Sequence, residues 1–463
     1  MSEVAKNSSD DISGESQNTV AGFLSAARLK TIFVIALPVL AAMLTQNLMG
    51  AIDTGMIGQL GDSALASMSV GGNQFFMVFS LLMGVSAAVQ TVVSRRIGEG
   101  RTEGLSMTLT SGMVLAGMIA LVLLPLSYLL LPLLSVLMTP DPVVVAGGRD
   151  YLFAVLPAIF FGGLAMAFGG YWLGIGKPIY GLIVVLIQLL CNAGFNYVLI
   201  FGNFGFPRLE ITGAGLGTTL ANIVGVLVHC CIAYRVLGRG HILQGMPDKS
   251  QLKGLLTISI PMSVQQFLFA VGMLVFVRIV ATLGTKELAA FQVIATIMMT
   301  SLMIAIGLGV TSTSLVSGAL GRKAVADAKR WGWEISTVAS GILGLLCLVS
   351  CIYARPILDV FMADSQTVEL AVLPLRIMLV SIWVESFGRV LSMGLVGAGA
   401  VGVVFKITFS NQWLMRLPLY WLIGVYFEQG LIAIFLIMLA FYILQTAMFV
   451  IIWQRGNWAK IVV

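Results

Sequence analysis

The sequence has little charge. Asp, Glu, Lys and Arg make up 10% of its 463 residues, where soluble domains carry about a quarter. A chain so poor in charge cannot cover a water-exposed surface. That excludes an ordinary cytosolic enzyme and a disordered protein. Histidine is scarcer still, with two residues, so no metal site is expected. The five cysteines, Cys191, Cys230, Cys231, Cys347 and Cys351, lie inside apolar runs and show no zinc spacing. They read as small buried hydrophobes, not as a disulfide framework. Alternating strands of about ten residues are missing too, which argues against a membrane β-barrel.

What the chain has is apolar length. Hydrophobic residues reach 59%, and mean hydropathy is +1.00. Residues 1–22 are polar and acidic, and read as a disordered cytoplasmic tail, not a signal peptide. Twelve apolar segments follow, near 30–58, 64–94, 105–132, 149–172, 178–201, 213–237, 256–283, 287–318, 327–354, 366–395, 401–426 and 430–453. Each is long enough to cross about 30 Å of hydrocarbon as a helix. The expected fold is an all-α integral membrane protein of twelve transmembrane helices.

The net charge of +6 reports topology more than ligand. Eighteen of the 26 Lys and Arg residues fall on one side of these spans, including Arg95, Arg96, Arg101, Arg322, Lys323, Lys329 and Arg330. Five fall on the other: Arg149, Arg208, Lys286, Arg355 and Arg376. Basic loops stay on the cytoplasmic side. Both termini are therefore expected in the cytoplasm of a multi-pass protein of the cell's inner membrane, and no nucleic-acid partner is expected. Trp331, Trp333, Trp453 and Trp458 would then sit at the inner interface.

A polar linker at 238–255 divides the spans six and six. The expected parts are an N-lobe at 23–237, a C-lobe at 256–453 and a cytoplasmic tail at 454–463. An even number of helices per lobe permits a parallel repeat. Pro38 and Pro261 differ by 223 positions, as do Gly61 and Gly284, Gly84 and Gly307, Gly98 and Gly321, Gly174 and Gly397, and Gly176 and Gly399. Residues 60–70 and 283–293 agree at five of eleven positions. Two related bundles around a central cavity are expected, by analogy with transporters that rock two bundles alternately open.

Ionisable residues inside a span are expensive and mark function by default. Here they are Asp53, His229, Arg278, Glu385, Arg389 and Arg416. Gln46, Met49 and Gly50 share the face of Asp53. The fifth span carries Gln188, Asn192 and Asn196 at i, i+4 and i+8, one polar stripe on an apolar helix. If the first and fifth spans face each other, a carboxylate and amide oxygens converge. Such hard donors suit a small cation such as Na⁺; a lone buried carboxylate can instead carry H⁺. The bland alternatives are a satisfied structural Asp and interhelical hydrogen bonding by the asparagines.

Glu385 and Arg389 are four apart and can pair along one helix, or Glu385 can serve as a second site. Arg278 and Arg416 are candidate partners for Glu385, and His229 reads as a packing residue. Pro38 and Pro261 interrupt the helical ladder and are candidate bends. GIGKP at 174–178 lacks the spacing and context of a phosphate loop.

Several segments carry a family resemblance. ALPVLAAMLTQNLMGAIDTGMIGQLG (36–61), SRRIGEG (94–100), CNAGFNYVLIFGNFGFPRLEITGAGLGT (191–218), LGTKELAAFQV (283–293) and WLMRLPLYWLIG (413–424) resemble, in order and spacing, the multidrug and toxic compound extrusion (MATE) family, in its NorM-like bacterial branch. The resemblance covers residues 25–455. It implies an antiporter, not an enzyme, that exports mostly cationic, amphipathic compounds by alternating access in exchange for Na⁺ or H⁺. It needs no cofactor beyond the coupling ion. Residue by residue it places a cation site at Asp53, Asn192 and Asn196, and an acid of the tenth span at Glu385. Where such relatives often carry a Glu in the seventh span this chain has Phe269, with Gln265 and Gln266 nearby. Where they carry a His in the eighth it has Phe291, beside Gln292. Gln46, Gln265, Gln266, Phe269 and Gln292 are thus cavity candidates, and weight shifts to Asp53 as the coupling residue. The expected partners are a small-molecule substrate and the lipid bilayer, for a monomeric protein. Arg278, Arg389 and Arg416 outnumber Glu385, which keeps a flippase for lipid or lipid-linked precursors, or an exporter of a specific anionic metabolite, as the alternative.

Overall fold

A computed structural model describes residues 24–238, 249–362 and 364–461. The tail at 1–22 and most of the linker at 238–255 lie outside the described residues. The described chain is helical. In order come α1 (Ala26–Gly58), α2 (Asp62–Gly98), α3 (Leu105–Met138), α4 (Pro142–Val155), α5 (Ala158–Gly174), α6 (Ile179–Phe201) and α7 (Glu210–Leu237). Then follow α8 (Lys249–Ala281), α9 (Thr285–Gly321), α10 (Val325–Ile352), α11 (Ala354–Phe361) and α12 (Ser365–Gly397). The chain closes with α13 (Val401–Phe409), a short α14 (Leu417–Leu419) and α15 (Gly430–Arg455).

Ten of these helices are long and apolar enough to cross a membrane alone. α4 and α5 pass together as one span bent by 49°. The break falls at Leu156 and Pro157, where proline ends one ladder and starts the next. The eleventh apolar segment, 401–426, is also helical. There α13 runs into π-helical turns at Ser410–Arg416 and Tyr420–Tyr426 on either side of α14. Ten helices and one bent pair thus account for eleven of the twelve apolar segments, and the continuous helix at 401–426 is the other. Outward faces remain apolar: Leu129 is 75% exposed, as lipid contact requires.

Helix ends follow from local chemistry. Asp141 caps α4, its Oδ1 accepting from the Val143 amide at 2.9 Å, and Pro142 occupies the first turn, where a missing amide costs nothing. Asp364 caps α12 through the Gln366 and Thr367 amides, both at 3.2 Å.

Internal contacts divide the chain into two units, Met1–Ser263 and Val264–Val463. The division falls inside α8 and not in the polar linker. In the first unit α2 packs on α3, α4 and α5, α1 on α6, and α6 on α7. In the second, α12 packs on α9, α10 and α15. Glycine brings backbones together at these crossings, as membrane helices require. A side chain on Gly170 of α5 would strike the Ser86 carbonyl of α2, and one on Gly397 of α12 would strike the Thr313 carbonyl of α9. The repeat is visible in element lengths. α2 and α9 each have 37 residues and start 223 positions apart, and α1 and α8 end 223 positions apart, at Gly58 and Ala281. Gly61 and Gly284, which precede α2 and α9, both hold positive φ, 110° and 151°.

Candidate functional site

In the first unit, three helices bring polar side chains together in an apolar setting. α1 supplies Asp53, α6 supplies Asn192 and Asn196 one turn apart, and α7 supplies Thr218. Asn196 Nδ2 donates to Asp53 Oδ1 at 2.6 Å and to Asn192 Oδ1 at 3.3 Å. Asn192 Nδ2 reaches Thr218 Oγ1 at 3.5 Å, and that hydroxyl donates to the Ala214 carbonyl at 3.1 Å. Both asparagines are fully buried and Asp53 is 8% exposed. One wall is the apolar cluster of Ile57, Tyr151, Val155, Ala158, Ile200 and Ala214.

Asn196 Oδ1 is buried without a protein partner. It faces Gly217, where any Cβ would collide with it. A buried amide oxygen left unpaired costs free energy, so it is available to a ligand. The oxygens of the cluster are a carboxylate, two amide carbonyls and a hydroxyl; the Asp53 carboxylate meets the Asn196 nitrogen, and the Asn196 carbonyl is turned to Gly217 of α7. Among the described residues no group of three or more His, Cys, Asp and Glu is placed to hold a metal. With one formal negative charge and neutral oxygens for the rest, the donor set suits a monovalent cation or a proton better than a divalent ion.

The second unit carries its own buried polar group. Glu385 of α12 is 3% exposed. Its Oε1 accepts from Arg389 Nε at 3.0 Å and from the terminal Nη2 of the same guanidinium, while its Oε2 has no partner. Arg416 lies with its guanidinium 4.9 Å from the Tyr442 ring. A cavity of about 40 Å³ opens beside Arg416, Tyr420, Tyr442, Gln412 and Phe269.

The remaining predicted residues scatter. Gln188 shares the stripe with Asn192 but turns against Gly225 of α7, so it packs α6 on α7. Arg278 is exposed near the end of α8, and Arg389, not Arg278, bonds Glu385. Arg416 belongs to the electrostatic neighbourhood of Glu385, with Tyr420 and Tyr442. Gln46 and Gln292 are exposed on their helices, and Gln265 and Gln266 are half-buried. Phe269 lines the second unit's cavity. Pro38 and Pro261 lie inside helices that continue on both sides. His229 is packed: Trp172 Nε1 donates to its Nδ1 at 3.0 Å, and Phe168 stacks on it at 5.0 Å. Trp453 and Trp458 stack on each other, buried at the end of the second unit, and do not form an outward belt. Thr218 escaped the sequence reading. Threonines are common in apolar helices, and only the fold shows this one beside Asn192.

Comparison with known proteins follows the same division. A model of the MatE family matches residues 38–198 and again 261–422. The chain is similar to a probable multidrug resistance protein NorM of Thermotoga maritima, 25% identical over 441 residues and 93% of each chain. In structure it is similar to the MATE transporter VcmN of Vibrio cholerae in a bent form, with a TM-score of 0.83 and 21% identity over 92% of this chain and 96% of that one. It is also similar to a MOP superfamily transporter from Pyrococcus furiosus, described as having a binding pocket of reverse polarity. The TM-score there is 0.84, at 19% identity over 94% and 97% of the two chains.

Proposed function

The chain belongs to the MATE family of multi-pass membrane transporters, and from that premise we propose that it is a secondary active multidrug exporter. It exchanges amphipathic, mostly cationic compounds for Na⁺ or H⁺ by alternating access, without an organic cofactor. It works as a monomer in the cell's inner membrane, with both termini cytoplasmic. The observation that carries this reading is the Asp53–Asn196–Asn192 network, a single buried carboxylate held by one neutral amide donor. Entry of a cation or proton there neutralises Asp53 and competes with the Asn196 amide for the carboxylate oxygen that holds α1 to α6. The bond between α1 and α6 is thereby made conditional on the ion, which is what coupling requires. Substrate released outside and ion released inside then occupy opposite ends of one cycle.

The test is accumulation of a fluorescent organic cation in energised everted vesicles. Wild type accumulates it, and Asp53→Asn falls to the level of vesicles without the protein while remaining folded and in the membrane. Undiminished accumulation by Asp53→Asn contradicts the proposal. A second reading, flipping of an anionic lipid or lipid-linked precursor or export of an anionic metabolite, is favoured by the two guanidinium groups set against Glu385. Uptake of a labelled anionic lipid, with none of the cation, would select it.

A further inference from the structure

The polar group of the second unit holds more positive charge than its own side chains neutralise. Arg389 and Arg416 are permanent cations, because guanidinium is not deprotonated in proteins. Among the described residues the one carboxylate in their electrostatic neighbourhood is Glu385. Arg389 takes it, through Nε at 3.0 Å and through Nη2 to the same carboxylate oxygen. Arg416 has no carboxylate bonded to it; it bonds Tyr442 and feels Glu385 at a distance, while its Nε and Nη1 are buried without a hydrogen-bond partner. The Tyr420 hydroxyl, on a side chain 2% exposed, is also buried and unpartnered. An uncompensated guanidinium inside a membrane span is costly, and three unmet donors add to that cost.

These donors share one face. Gln412, Arg416 and Tyr420 follow at four-residue intervals along 401–426, and all three line the cavity. The helix is π-helical over Ser410–Arg416 and again over Tyr420–Tyr426. Such bulges recur at functional sites. The donors are also held in place. Tyr420 stacks on Phe276 at 4.7 Å, and Arg416 lies over the Tyr442 ring. The cavity beside them, about 40 Å³, exceeds what one water needs and is far too small for a drug-sized molecule. The rest of its wall is apolar, with Met273 and Phe276 of α8 and Leu302 of α9.

We propose that this cavity binds one small monovalent anion of halide size, held by the guanidinium of Arg416 and the hydroxyl of Tyr420. One bound anion matches the one surplus charge and gives both unpartnered groups an acceptor. The site is separate from the Asp53 network and does not rest on the transport reading.

The probe is chloride against gluconate, which is too large for the cavity. The purified full chain in detergent is melted in sodium gluconate and in sodium chloride of equal ionic strength, without substrate or ion gradient. Chloride should raise Tm once its concentration exceeds the dissociation constant, by about 2–4 °C for each further tenfold. Arg416→Gln and Tyr420→Phe should each reduce or abolish that rise. Tyr420→Phe keeps the charge and the ring and so remains readable if Arg416→Gln fails to fold. Crystals grown in bromide should show an anomalous peak beside Arg416. Equal Tm in the two salts, an unchanged rise in Tyr420→Phe, or no bromide at that position overturns the proposal. Because nothing is transported in these measurements, their failure leaves the coupling role of Asp53 untouched.

Discussion

At the residue scale the account rests on a few polar atoms. Asn196 is the hub of the first cluster, since its amide reaches both Asp53 and Asn192. Replacing it with Ala leaves a buried carboxylate without its donor, a change of about 1–3 kcal/mol. We expect Asn196→Ala to lower Tm by several degrees and to abolish ion-driven export, measured in detergent and in vesicles respectively. Thr218→Ala should do less, under about 1 kcal/mol, because the Thr218 hydroxyl already donates to the Ala214 carbonyl. Gly217→Ala tests the same site from behind: its Cβ meets Asn196 Oδ1, so export should fail although no polar atom is removed.

The sequence made part of this cluster readable. Asp53 stands out as a carboxylate in an apolar run, and Asn192 and Asn196 stand out by their four-residue spacing. The same spacing offered Gln188 equally, yet Gln188 turns to Gly225. Periodicity places residues on one face but does not say how far along the helix the facing partner extends. Arg278 and Arg416 looked alike as unpaired cations within spans. The fold separates them, Arg278 at an exposed helix end and Arg416 half-buried at a π-helical turn, with its Nε and Nη1 buried. Nothing in the sequence announced that turn, because π-helical bonding has no distinctive composition.

At the scale of elements, helix number followed from hydrophobic length, while breaks depended on packing. Pro157 could have marked the break between α4 and α5, and the pair Asp141–Pro142 marks where α4 begins. Pro38 and Pro261 carry the same chemical signal but sit in unbroken helices, so proline alone does not decide. Helix crossings depend on the absence of side chains. We expect Gly170→Val and Gly397→Val each to lower stability by about 1–3 kcal/mol, read as a fall in Tm. The added carbons meet backbone carbonyls of Ser86 and Thr313, which cannot swing aside. The cap of α12 adds a dependence on pH. Hydrogen bonds from the Thr367 hydroxyl and from the Gln366 and Thr367 amides, with Lys286 nearby, hold the Asp364 carboxyl below the ordinary carboxylate range. A depressed value means the stabilisation is present above the unfolded-state pKa and lost as pH falls through the folded one. Asp364→Ala should therefore lower Tm at neutral pH and leave it less sensitive to acid than wild type.

At the scale of the whole molecule, a repeat of 223 residues links sequence and structure. It appeared first as paired prolines and glycines, returned in α2 and α9 as helices of equal length, and is matched by the two segments of the family model. The two copies are chemically unequal. The first holds a carboxylate among neutral oxygens, and the second holds an ion pair with a surplus guanidinium. Orientation remains a prediction from the basic loops. In a cysteine-free background, Arg101→Cys should react with an impermeant maleimide in everted vesicles and not in intact cells, whereas Arg208→Cys should do the reverse. The most direct test of the central claim is ion counterflow in proteoliposomes carrying an imposed Na⁺ or H⁺ gradient. Adding a transported organic cation should dissipate one of the two gradients with wild-type protein and neither with Asp53→Asn. Dissipation by the variant at the wild-type rate, or transport by wild type with no movement of either ion, would contradict the assignment of coupling to Asp53.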